Sequence, residues 1–363
     1  MKRRDFVMAA APAAATAMVA SPAIATSMPS IKWRLVSSYP KSLDTLFGCS
    51  PQIAKRVAEA TDNQFQLQVF AAGEIVPALQ VMDAVQNGTV ECGHTLSNFY
   101  IGKDPAFVFD SCVPFGLNAR QQNAWLYQGG GLELIREFMS SYNIYSIPAG
   151  NTGAQMGGWF RKEIKTVDDL KGLKFRVAGL AGQILSRLGV VPQQLGGGDI
   201  YPALERGTLD AAEFSGPHDD EKLGFFKVAK YYYYPGWWEG GPNVSMFINM
   251  DKWNSLPAHY KAVLEAACAE TVTWSLAKYD NQNPDALFRL LGAGAELRAF
   301  PQDVMAASFR EAYALYNELA DKSPNFAKMY QSWLPYWRKE QTWFRIAELP
   351  FDAFVSQQAQ AKR

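Results

Sequence analysis

Histidine is scarce in this chain, three in 363 residues, and cysteine is little commoner at four. His94, His218 and His259 are too dispersed in sequence for a local metal triad. Cys49, Cys92, Cys112 and Cys268 form no CxxC pair, which excludes a zinc ribbon or redox dithiol and leaves three full pairings open. There is no GxSxG elbow, HExxH helix, P-loop or GxGxxG turn. An excess of one charge is also missing: 35 basic residues offset 35 acidic ones, with no basic run. That argues against nucleic acid or an anionic membrane surface as partner. After the first 25 residues no stretch approaches the ~18–20 apolar residues of a membrane helix. The rest of the composition, 48% hydrophobic and 19% charged, is that of a globular protein. The length suffices for two lobes, each with its own core.

What the chain does have begins with an export signal at 1–25. Lys2, Arg3 and Arg4 precede an Ala-rich, mildly apolar stretch ending in Ala23-Ile24-Ala25, a small-x-small cleavage site. Arg3-Arg4-Asp5-Phe6 is similar to a twin-arginine signal, which would mean export after folding; an ordinary secretory signal stays open. Loss of the segment removes three bases and one acid, leaving 32 against 34. The mature protein is expected to be soluble and outside the cytoplasm.

One phrase occurs twice. AVQNGTVEC at 84–92 and ALERGTLDA at 203–211 share Ala, an apolar residue, two polar residues, Gly-Thr, an apolar residue, an acid and a small residue. Physically this is a helix end, a glycine able to take the left-handed conformation that closes it, and a buried strand. The same unit 119 positions apart predicts two similar α/β lobes with a ligand cleft between them. The β-α-β-α-β order of the first 60 or so mature residues fits a parallel sheet with helices on its faces. Lobe I is expected at 31–150 with about 243–285, and lobe II at 151–242. The aromatic run from Tyr231 to Pro242 breaks all periodicity and suits a crossing back to lobe I. A helix from Ala258, kinked at Asn283-Pro284 and reaching about Leu291, opens a helical region that extends to residue 363.

Few residues carry candidate chemistry. Arg176 alternates with Phe175 and Val177 near a strand's C-terminal end, the end that faces the crevice in open α/β sheets. It reads equally as a two-pronged carboxylate receptor or as a solvated edge-strand arginine. Glu213 also ends a strand, where it can bind a cation, act as a base or cap a helix; alone, capping is favoured. Gln155, flanked by Gly153, Gly157 and Gly158, is a neutral oxygen donor with close backbone approach. Carboxylate, amide and backbone oxygens together suit a hard cation. His218, beside Asp219 and Asp220, is a candidate base, but with no nucleophile motif near it a solvated loop is the favoured reading. His259 reads as helix surface and Cys92 as a small core residue. The 231–238 aromatics read as core and hinge packing in preference to a sugar-stacking surface.

Five stretches carry a resemblance: FAAGEIVPALQ (70–80), NTGAQMGGWF (151–160), LKGLKFRVAG (170–179), VPQQLGGGDIYPALERGTLDAAEF (191–214) and GPHDDEKLGFFKVAKYYYYPGWWEGGP (216–242). With the export signal, they resemble the substrate-binding proteins of tripartite ATP-independent periplasmic (TRAP) transporters over essentially the whole mature chain. The likeness is to the members that bind 2-oxo monocarboxylates such as pyruvate. It implies a two-lobed α/β periplasmic binding protein fold with a long C-terminal helical region, located in the periplasm and not an enzyme. It implies that Arg176 holds the ligand carboxylate. It also implies a sodium ion, with calcium as the alternative, bridging ligand and protein through Gln155, Glu213 and the backbone carbonyl of Phe214. Tyr100, Asn98 and Glu239 are further substrate-binding candidates, as is Gln155 itself. Phe214 stands where a tryptophan is expected, which spares a backbone ligand but makes the wall less polar. The implied partners are a small 2-oxo or 2-hydroxy acid, the small and large membrane subunits, and a second copy of the chain joined by exchange of the helix from Ala258. A monomer with that helix packed across both lobes is the alternative. Rival functions are binding of lactate with calcium, of another carboxylate or of a sugar, and an exported enzyme using Glu213 or His218 as base.

Overall fold

The computed structural model describes residues 28–361, so the expected export signal lies outside the described residues. In β1 (Ile31–Ser37) and β2 (Phe65–Phe70) the apolar positions alternate with polar ones, and Trp33, Leu35, Phe65 and Leu67 are buried. These strands pair in parallel, and β1 pairs in parallel with β3 (Cys92–Thr95) on its other side. The Leu46–Ala60 helix between β1 and β2 buries Leu46, Ile53 and Val57. After β4 (Ile144–Asn151) the chain leaves this sheet to build a second one. Its strands are β5 (Gly158–Phe160), β6 (Lys174–Arg176), β7 (Val191–Gln193), β8 (Ala211–Ala212) and β9 (Tyr231–Tyr234). The chain returns as β10 (Asn243–Asn249), inserted antiparallel between β3 and β4. All seven residues of β10 are buried, because both its faces are covered. Phe247 packs into the cluster with Val81, Val85 and Phe107, while Met246 and Ile248 meet Tyr260, Leu264 and Cys268.

The strand order is β2-β1-β3-β10-β4 in the first sheet. In the second it is β11-β9-β5-β8-β6-β7, with β11 (Glu296–Ala299) parallel to β9. The twice-used phrase does the same work in both lobes. Gly88 and Gly207 take φ of +70° and +74°, closing the Val81–Gln86 and Gly197–Glu205 helices. The apolar residues two positions on, Val90 and Leu209, are fully buried. The strands that follow, β3 and β8, pair in parallel with β1 and β6 respectively.

Three segments join the lobes: residues 152–157, residues 235–242, and a single helix Ala258–Gly292 that passes through Pro284 without a break. In lobe I its Ser275 hydroxyl accepts from Asn151 N (2.9 Å). Further along, its Tyr279 hydroxyl donates to Asp219 of lobe II (2.6 Å) and its Asn283 accepts from His218 N (3.0 Å).

Several expectations need correction. Lobe II extends beyond residue 242, since β11 is part of its sheet. Residues 231–234 form a strand in which Tyr232 and Tyr233 are buried. None of the four cysteines is paired; all are buried free thiols. The helical region expected from Ala258 onward is interrupted by β11 before the helices Gln302–Lys322, Pro324–Ala347 and Leu349–Ala361. Among the described residues no helix is long and apolar enough to cross a membrane.

Candidate functional site

The C-terminal ends of β1, β3, β6 and β8 converge on a cavity between the lobes. Lobe I supplies an apolar wall of Tyr39, Leu46, Leu96, Phe99 and Val244. The opposite wall is polar: Arg176, Glu213, Gln155, Thr152 and Glu239, with Ala178, Phe214 and Pro242 between them.

Arg176 is the last residue of β6 and only 1% exposed, so the solvated-arginine alternative does not hold. Its Nε donates to Leu195 O (3.1 Å), and its Nη1 donates to both Glu213 O (2.5 Å) and Glu213 Oε1 (2.7 Å). The Phe214 ring lies 5.4 Å from the guanidinium carbon. Nη2 has no hydrogen-bond partner among the described residues, so one prong of the fork is left for a ligand oxygen. Glu213 Oε1 also accepts from Ala178 N (3.0 Å), and Oε2 has no partner among the described residues. Burial pushes the Glu213 carboxyl above its ordinary range, against the opposing pull of Arg176 and the Ala178 N–H. The capping reading of Glu213 is replaced by a buried ion pair.

Gln155 approaches from the segment joining β4 to β5. Its Nε2 donates to Thr152 Oγ1 (3.1 Å), while its Oε1 is buried with no partner among the described residues. A buried amide oxygen without a donor costs about 1–3 kcal/mol, so a hydrogen-bond donor or a cation belongs beside it. Among the described residues no group of three or more His, Cys, Asp and Glu side chains could hold a metal. A cation here must therefore use mixed oxygens. Gln155, Glu213 and Phe214 line the same cavity, and the Phe214 carbonyl accepts no hydrogen bond from the described residues.

Glu239 lies at the same wall, 3% exposed, and accepts from Asn98 Nδ2 of lobe I (3.2 Å). Burial, then the Glu213 charge beside it, push its carboxyl up to about 8. Asn98 thus reaches the site through Glu239. Tyr100 does not reach it: its ring is buried between Phe107 and Phe247, and its hydroxyl is engaged by Met82 N (3.2 Å) and Thr95 Oγ1 (2.8 Å). The neighbouring Phe99 lines the cavity in its place. His218 is 6% exposed within the Pro217–Leu223 helix, facing Asp44 and not the cavity. The solvated-loop reading of His218 is thus corrected, and the base role finds no geometry. Sequence reasoning missed Tyr39, Leu46, Leu96 and Phe99. The strand-end rule that singled out Arg176 applies equally to Tyr39, two residues beyond β1.

Residues 36–323 match the DctP profile, family 7 of the bacterial extracellular solute-binding proteins. The chain belongs to this family. A relative from Nostoc, 49% identical over 98% of this chain and 99% of its own length, is named a monocarboxylate 2-oxoacid-binding periplasmic protein. A TRAP transporter solute-binding protein from Bordetella bronchiseptica superposes with a TM-score of 0.91 at 50% identity, covering 92% of this chain and all of that one. Its crystals hold a mixed-occupancy dimer, one site with copurified calcium and picolinate and the other apo. A TRAP periplasmic binding protein from Pseudoalteromonas atlantica, with bound sodium and pyruvate, matches with a TM-score of 0.86 and 37% identity over 90% of this chain and 99% of its own. The DctP family member described here is accordingly a periplasmic solute-binding protein of the TRAP type, with the two-lobed fold of those relatives. That family comprises solute-binding components of transporters.

Proposed function

We propose that this DctP protein captures a small 2-oxo monocarboxylate, pyruvate or a close homologue, with a sodium ion, and delivers it to the small and large membrane subunits. The observation that carries the reading is one cavity holding both a buried arginine with an unused Nη2 and a buried glutamine oxygen with no partner. A carboxylate docks on the first. The second, with Glu213 and the Phe214 carbonyl, would hold the cation. Bound there, the cation supplies positive charge shared between the 2-oxo acid and the protein. The apolar lobe I wall faces the acid's carbon tail, and Tyr39, whose hydroxyl has no partner among the described residues, is placed to contact the acid from that side. Ligand capture draws the lobes together over the cavity, and the closed form docks on the membrane subunits.

Charge balance favours sodium. Arg176 and Glu213 cancel, so a bound monocarboxylate leaves one negative charge in a space of low dielectric, and burying it unpaired is costly. A monovalent cation restores neutrality while Glu239 is protonated, the state that its burial and the Glu213 charge favour. With Glu239 ionised the balance tips to calcium, the ion found with the Bordetella bronchiseptica protein. Thermal melting of ligand-stripped protein tests the proposal. At a hundredfold excess over Kd, 2-oxobutyrate with sodium should stabilise the fold by about 2.7 kcal/mol, and the acid should be recovered unchanged. No shift with any 2-oxo acid would contradict it.

We also infer a homodimer; within one chain the Ala258–Gly292 helix packs along both lobes through Ser275 and Tyr279. The unpartnered apolar face lies at the C-terminus, where Trp343, Ile346, Leu349, Phe351 and Phe354 are 59–66% exposed. A second copy is the occupant that the Bordetella dimer supports. In sedimentation velocity the full chain is expected to run as a dimer. Phe351→Asp with Phe354→Asp is expected to give a monomer that still binds ligand. A wild-type monomer at micromolar concentration would contradict the inference.

A further inference from the structure

Outside the ligand cavity, one carboxylate gathers three side-chain hydrogen-bond partners, two ammonium groups and an imidazole. Asp44 sits in the turn just before the Leu46–Ala60 helix of lobe I. From lobe II, His218 Nε2 lies 2.9 Å from its Oδ1, and the Lys222 ammonium donates to the same oxygen. From the long joining helix, Lys278 Nζ lies 3.2 Å from Oδ2 and donates to the Asp44 carbonyl at 2.7 Å. Burial raises the Asp44 carboxyl, but the hydrogen bonds from Lys222, His218 and Lys278 outweigh it and hold the group well below the usual carboxylate range. The three donors stand on two different elements, so the cluster ties lobe I to lobe II.

Its position links it to the site. Leu46, two residues after Asp44, lines the cavity, and the Pro217–Leu223 helix starts three residues after Phe214. That helix is seated on lobe II, where Asp220 accepts from Tyr232 (2.8 Å) and Trp159 (3.0 Å), and on the joining helix, where Asp219 accepts from Tyr279. A displacement of the Glu213–Phe214 segment therefore carries His218 and Lys222 with it. We propose that Asp44 is a positioning residue for ligand retention: its contacts with His218 and Lys222 latch the two lobes together when the cleft is closed. Tyr279 and Asn283 tie the Pro217–Leu223 helix to the helix that carries Lys278, so the three contacts to Asp44 make and break together, and the latched form exchanges with the open one before ligand binds. The latch rests on the proposed capture of a 2-oxo acid by lobe closure. It adds no contact to the ligand, so its effect falls on escape more than on entry.

The test compares wild type with Asp44→Asn, Asp44→Glu and Lys222→Met, each with pyruvate and sodium. Stopped-flow tryptophan fluorescence reads the rates, and small-angle scattering reads lobe separation with and without ligand. Asp44→Asn and Lys222→Met should each raise the dissociation rate about tenfold with the association rate nearly unchanged. Both should enlarge the apo protein and leave its melting temperature within a degree or two of wild type. Asp44→Glu should recover most of the loss. Wild-type dissociation rates and dimensions in both variants would overturn the latch, as would equal losses in association rate. If wild type itself bound no 2-oxo acid, the proposed ligand would fail instead, and the scattering of apo Asp44→Asn against apo wild type would still decide the latch.

Discussion

Arg176→Ala is expected to abolish binding of 2-oxo acids while both lobes stay folded. The guanidinium has two jobs in the cavity: it neutralises Glu213 through Nη1 and offers Nη2 to an incoming carboxylate. Removing one partner of a buried charge pair typically costs 3–5 kcal/mol, which for the ligand is roughly two to three and a half orders of magnitude in Kd. The fold survives because Glu213 has another way to avoid a buried charge. Its carboxyl is already raised by burial, and Arg176 is the main influence lowering it, so the variant holds Glu213 protonated. The consequence has a definite sign. A carboxyl whose folded-state pKa exceeds its ordinary 4.5 contributes stability below that value, and the contribution is lost as pH rises through the raised pKa. The apo variant should therefore unfold more easily at neutral pH than near pH 5, with a steeper pH dependence than wild type. Denaturant unfolding at the two pH values checks this. A variant that still bound pyruvate normally would remove Arg176 from the site.

Glu213→Gln is expected to weaken binding by about 10–100-fold and to remove most of its dependence on sodium. The substitution is nearly isosteric, so the new amide oxygen can still accept from Arg176 Nη1 and Ala178 N, as the carboxylate does. What changes is charge. With this side chain neutral, Arg176 balances the ligand carboxylate alone, and the cavity no longer needs a cation for neutrality. Titrations of pyruvate with and without sodium check the expectation. An unchanged sodium dependence would put the cation on other donors.

The two lobes were legible because the constraints that make them are local. A left-handed glycine must close a helix before a buried strand, and only Gly fits without strain, so Gly88 and Gly207 mark equivalent turns in the bare sequence. Arg176 was legible for a similar reason, being a charged residue in an apolar alternation at a strand end. Other features depend on long-range packing. Phe99 and Tyr100 are neighbours in the Ser97–Tyr100 turn, and nothing in their spacing says which faces the cleft. The structure settles it through the Tyr100 hydroxyl, which finds Thr95 and Met82 inside lobe I. β11 is four residues of mixed polarity, Glu296-Leu297-Arg298-Ala299, held at an edge by pairing with β9 in a register no local pattern encodes. Asp44 is an ordinary surface acid by sequence. Its partners, 174, 178 and 234 positions away, become visible only when the lobes are brought together.

On the proposed function, one cavity takes a 2-oxo acid and a cation together. Isothermal titration calorimetry tests it most directly, using protein unfolded, dialysed and refolded to strip bound ligand, and titrating pyruvate and 2-oxobutyrate with and without sodium. Micromolar or tighter binding, about −8 kcal/mol or better, is expected in sodium, and binding at least tenfold weaker without it. Equal affinity in both buffers, or no heat with either acid, would contradict it.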